Sequence, residues 1–161
     1  MIIIKFESTN FIKKIDSKNL DNFDFSGESL HTAIFEGHSL KHAIFRKSNL
    51  RSANFAYCIL DGADFTDSLL MNVNFMSTSL VGAKLLNARI SGAFFLDSNL
   101  EGADLAGADL FAVNLNKSNL KGANLNSLRI TEASFIDAIY DKKTIWPDNF
   151  SPESKGAIIV P

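Results

Sequence analysis

The chain has 161 residues, 46% of them hydrophobic and 21% charged, with a net charge of −2. That length suffices for one domain with a continuous core, and the near-neutral balance gives no overall field that would make nucleic acid or a membrane surface a direct partner. A single cysteine, Cys58, rules out an intrachain disulfide, and no stretch approaches the roughly 18 apolar residues of a membrane-crossing helix. The chain therefore reads as soluble and cytoplasmic. Charge is uneven along it: between residues 61 and 110 seven acidic side chains face only Lys84 and Arg89.

Residues 1–16 lie outside the repeating pattern that dominates the rest of the chain. Ile2, Ile3, Ile4 and Phe6 read as a strand laid across the first repeating unit, an N-terminal cap.

From Leu20 to Tyr140 every fifth residue is large and apolar, 25 positions in unbroken register. A period of five fits neither a helix nor a strand, so the repeat itself has to be read first. Two positions before each large residue the side chain is mostly small, as in Ala63, Ala83, Ala103 and Ala123. Two positions after it stands glycine in eight repeats, from Gly27 to Gly122. Glycine at one fixed point predicts a recurring turn with positive φ at some copies. One large and one small residue of each unit can point inward while three face solvent. Units this short bury nothing alone, so they must stack.

Ala63-Asp64-Phe65, Ala103-Asp104-Leu105, Ala108-Asp109-Leu110 and Ala123-Asn124-Leu125 carry a resemblance to the pentapeptide repeat family that extends over about residues 16–140. The resemblance implies an all-β fold, a right-handed quadrilateral β-helix over residues 17–140 with four units per coil, about six coils and capped ends. Sorting the large residues by a period of twenty gives four faces, beginning at Leu20, Phe25, Leu30 and Phe35. Phenylalanine concentrates on faces two and four, so Phe35, Phe45, Phe55, Phe65, Phe75 and Phe95 are expected to stack as core columns with leucine between them. Residues 141–161 break the pattern, and the run from Thr144 to Phe150 resembles tails that follow pentapeptide repeats in cyanobacterial proteins. Trp146 and Phe150 are expected to plug the last coil, the alternative being that this end dimerises, as in some members of the family.

Chemistry is sparse. His38 and Cys58 share the small inward position of face one, twenty residues apart. A Cys beside a His can form a nucleophile pair, but the rest of that column supplies no orienting carboxylate, and a buried thiol is inert. His31 and His42 fall on other faces and cannot converge with His38 on a metal. No catalytic, metal or cofactor residue is assigned, and the chain reads as a non-enzyme. Asp61, Asp64, Asp67, Glu101 and Asp104 form a possible acidic surface. Some pentapeptide repeat proteins protect DNA gyrase by resembling DNA, so the acidic set supports an alternative reading as a DNA-mimicking topoisomerase modulator. Lys41, Arg46, Lys47, Lys84 and Lys121 interrupt it. The less expected feature is apolar: Tyr57, Leu69, Met71, Met76, Phe94, Leu96 and Phe111 fall at outward positions of faces three and four. Exposed apolar surface with Met and aromatic residues marks an interaction surface. The first reading is therefore a structural and interaction solenoid that binds a protein partner or a second copy of itself.

Overall fold

The computed structural model describes every residue except Ser8. Its architecture begins with the turn. From Asn22 to Gly122 the second residue after each large apolar residue has positive φ without exception, whether glycine (Gly62, 67°) or not (Tyr57, 61°; Thr32, 60°). The next amide donates back to the carbonyl of the large residue, as from Ala63 N to Leu60 O at 2.9 Å. Positive φ at the third position of a turn closed by that bond is the type II pattern. Glycine is thus only one occupant of the position; Asn, Asp, Ser and Lys fill it elsewhere at the modest strain the left-handed region imposes on them.

Turning every five residues, the chain lies over itself after twenty. Parallel bridges pair Asp24 with Ile44, Ile44 with Asp64, Asp64 with Lys84 and Lys84 with Asp104, and the other three faces repeat the offset. Backbone bonds run up and down each column, for example Asp64 N to Ala43 O at 2.9 Å and Phe65 N to Lys84 O at 2.7 Å. The chain is all-β, and its only helical turns among the described residues are 3-10 turns at Ile130–Glu132 and Glu153–Lys155. Among the described residues no helix is long and apolar enough to cross a membrane.

The interior is filled by the large residues and the small ones two places before them. Leu60, Ala63, Phe65, Leu70 and Phe75 are all fully buried. Phe25, Phe45 and Phe65 stack with centroids 4.9 Å apart, and Phe35, Phe55, Phe75 and Phe95 stack at 4.7, 5.3 and 4.8 Å. The two columns meet edge to face, as between Phe55 and Phe65 at 5.8 Å. The column spacing is the strand spacing, so rings stack because the backbone ladder sets their separation.

Strand β1 (Ile2–Phe6) pairs antiparallel with β2 (Ile12–Ile15) and with β3 (Ala33–Ile34). The hairpin buries Ile4 and Ile15 against the first coil. At the other end the backbone departs from the sequence period. Leu128 faces Asp109 at an offset of nineteen, the turn at Ile130–Glu132 absorbs one residue, and Ser134 faces Asn114 at twenty again. Ile130 stays buried throughout. The ladder also runs past Tyr140: one residue is inserted, Ile145 faces Asn124, and Thr144 takes the small inward position with its Oγ1 donating to Leu120 O at 2.9 Å. Trp146 stacks on Phe150 at 5.3 Å and meets Tyr140 edge-on at 5.4 Å. Strand β4 (Ile139–Tyr140) pairs in parallel with β5 (Ile158–Ile159).

Candidate functional site

The corner between faces three and four differs from the other surfaces. Its outward positions from Met71 to Asn116, over three successive coils, carry no ionisable side chain, and Arg51 stands one coil earlier in the column of Met71. Asn54, Asn74 and Asn114 occupy one column there, and each uses Oδ1 to accept the amide two residues on, at 3.0 Å. Phe94 interrupts the column and has no such bond to make. Its ring stands 50% exposed.

Around that ring lies a depression of about 440 Å³, lined by Met76, Phe94, Leu96, Asn72, Asn74 and Asn114 among others, with Glu7 from the segment after β1 at its border. A second depression of about 300 Å³ is lined by Met71, Ser91, Gly92, Phe111 and Ala112, and Asn72 borders both. Five of the seven apolar surface residues named from sequence thus line two adjoining depressions. Tyr57 is 56% exposed but lines neither. Leu69 is half-buried between Asn49 and Arg89 in its ladder and also stays apart.

The register slip adds a residue that the sequence period hides. Arg129 takes a left-handed conformation (φ 52°), and its guanidinium lies 4.6 Å from the centroid of Phe111. Asp109 pins it, accepting Nε at 2.7 Å and a second contact from NH2, while Ser91 Oγ donates to the same carboxylate at 2.8 Å. The bonds from Arg129 hold the Asp109 carboxyl below the usual range, and the pair raises Arg129 in turn. A fixed cation therefore closes the apolar corner at its far end.

The acidic set is not one surface. Asp64, expected to point outward, is 7% exposed, because Arg46 from the preceding coil covers it at 2.6 Å. Burial opposes its ionisation, but bonds from Arg46 and Thr66 outweigh that and keep its carboxyl low. Asp61 accepts Ser79 Oγ at 2.5 Å and Val81 N at 3.2 Å, and Asp104 accepts Ala106 N at 3.0 Å. Glu101 is exposed and accepts Asn119 Nδ2 at 3.2 Å. Asp67 is exposed at a turn. Four of the five carboxylates thus accept bonds from neighbouring turns and coils rather than standing as a free row.

Cys58 does not face a base. Its thiol donates to Phe35 O at 3.0 Å, as Thr78 Oγ1 does to Phe55 O at 2.7 Å one coil on. Burial pushes the thiol up to about 12. His38 is half-buried and contributes its backbone, its carbonyl accepting Ile59 N at 3.1 Å. Among the described residues no group of His, Cys, Asp and Glu is placed to hold a metal ion.

Comparison with known proteins identifies the repeat. Residues 48–125 match the family described as a pentapeptide repeat region. No curated protein matches the chain. Among solved structures, alr5209, a pentapeptide repeat protein from Nostoc, is 29% identical over 63% of this chain and 84% of its own, with a TM-score of 0.61. HetL from Nostoc, a pentapeptide repeat protein involved in heterocyst differentiation regulation, is 22% identical over 87% of this chain and 73% of its own, with a TM-score of 0.53. These neighbours imply a right-handed quadrilateral β-helix. A five-residue register that closes on itself every twenty residues is what such a region encodes, and residues 48–125 of this chain are a pentapeptide repeat region.

Proposed function

We propose that this chain is a non-catalytic interaction module that presents the uncharged corner between faces three and four to a protein partner. One observation carries the reading. In a chain with 21% charged residues, three successive coils leave this corner without an ionisable side chain and fill it with Met71, Met76, Phe94, Leu96 and Phe111. A solvated surface has no reason to exclude charge so consistently, whereas an interface centre does. The residues present are those that adapt to and anchor partners. The interior supports the non-catalytic half of the reading, since its only thiol is protonated and spent on a backbone carbonyl.

Met76→Glu combined with Leu96→Glu tests it. The double variant is expected to keep the β circular dichroism of the parent and to lose at least about tenfold in partner affinity. Undiminished binding of the same partner by the folded variant would remove the corner from the function.

A further inference from the structure

Resting on that reading, we propose that the occupant of the corner is a second copy of this chain, packed antiparallel across a twofold axis normal to the rod. An isologous contact places a patch against itself, so any charge near the axis would meet its own like. The corner's outward positions have none over the three coils from Met71 to Asn116, and Glu7 and Arg51 border it at the β1 end. Its shape fits the same operation. Phe94 projects beside the depression that it helps to line, so a twofold axis between neighbouring coils carries each ring toward the other copy's depression. The Nδ2 groups of Asn74 and Asn114 donate to nothing within the chain among the described residues, and so are free to bond across the contact.

The rim supplies charge complementarity. Glu7 borders the depression toward the β1 end, and Glu36, which accepts Asn54 Nδ2 at 2.8 Å, stands on the same side. Arg51 flanks that end and Arg89 and Asp97 flank the sides. Arg129 and Lys117 stand at the far end. An antiparallel arrangement brings the glutamate end of one copy to the Arg129 end of the other. Three coils at roughly 4.8 Å give a patch about 14 Å long. That is small against the roughly 800 Å² per partner of a standard interface, so the dimer is weak, with a dissociation constant on the order of micromolar.

Sedimentation velocity of the full chain from about 1 to 300 µM tests the proposal over that affinity range. The expected result is a concentration-dependent monomer–dimer equilibrium that Phe94→Asp shifts to monomer by at least about tenfold in dissociation constant. Leu96→Lys serves as the second variant, and β circular dichroism confirms that both fold. A monomer at every concentration overturns the proposal, as does a dimer that neither variant weakens. In either case, capture of a foreign protein by the parent and its loss in Phe94→Asp would keep the corner as a docking surface for that protein. Capture undiminished in the variant would end the corner reading as well.

Discussion

Asn72 folds its side-chain amide over Gly92 of the next coil, so that a Cβ placed on Gly92 would lie 2.4 Å from Asn72 Oδ1. Both residues are left-handed, with φ of 56° and 70°. Asn72 lines both depressions of the uncharged corner, and Gly92 lines the second. His42 over Gly62 and Asn87 over Gly107 repeat the arrangement elsewhere on the rod.

Gly82 supplies the control for this pair. It shares the conformation (φ 63°), but nothing lies near its missing Cβ. Gly82→Ala should cost only the left-handed strain, about 1–2 kcal/mol. Gly92→Ala should cost more, and Asn72→Ala in the same chain should recover the excess but not the strain. Urea denaturation of the three variants measures the difference. Equal losses at Gly82 and Gly92 would show that the Asn72 amide does not hold that space.

Phe75 sits inside a ring column, 5.3 Å from Phe55 and 4.8 Å from Phe95, with Phe65 edge-on at 5.7 Å. Phe75→Ala should cost roughly 3–5 kcal/mol, because the ladder fixes the coil spacing and prevents collapse around the cavity. Phe75→Leu should cost distinctly less, since leucine already fills comparable positions at Leu85, Leu105 and Leu115. Thermal unfolding at matched concentration ranks the two.

Cys58 should resist thiol reagents at pH 8 in the folded chain. Its thiol is buried and pushed up to about 12, so it stays protonated through that range. Labelling is expected only on unfolding, at a rate that follows denaturant. Fast labelling of the native chain would mean that the interior opens at the coil holding Cys58.

Asp109 makes the register slip pH-sensitive. The bonds from Arg129 lower its folded pKa, so the folded chain binds fewer protons here than the unfolded one. The contribution is complete above about pH 4 and is lost as pH falls through the folded value. Asp109→Asn should therefore lower stability near neutrality and flatten its decline in acid. A parent and variant that decline in parallel below about pH 4 would show that this pair is not coupled to folding.

The period of five made the interior readable because burial selects side chains at every unit: Leu60, Phe65, Leu70 and Phe75 are where the repeat puts them. Turn geometry was only half readable. Glycine advertises positive φ, but Tyr57 and Thr32 adopt it too, held there by ladder bonds on either side rather than by their own preference. The slip at Leu128 left no trace in the period, since Ile130 keeps its place in the count while the backbone loses and regains a residue around it. The position of Arg129 over Phe111 follows from that slip and was hidden with it. Asp64 misled for a different reason: its position is outward, but Arg46 reaches across from the neighbouring coil and covers it. The strand β2 and its hairpin with β1 lie outside the repeat and had no periodic signal to announce them.

The offset of twenty that runs through nearly every bridge also sets how this chain acquires its structure. Partners twenty residues apart in a chain of 161 give a relative contact order near 0.12, nearer to mixed α/β domains than to β-sandwiches. Each coil meets only the coil before and the coil after it, so order can start at any well-stacked coil and spread outward one coil at a time. The ring columns from Phe25 to Phe95 are the strongest stretch on which to start. Assembly should then travel from that stretch toward the slip at Leu128, which would zip up late and fray first.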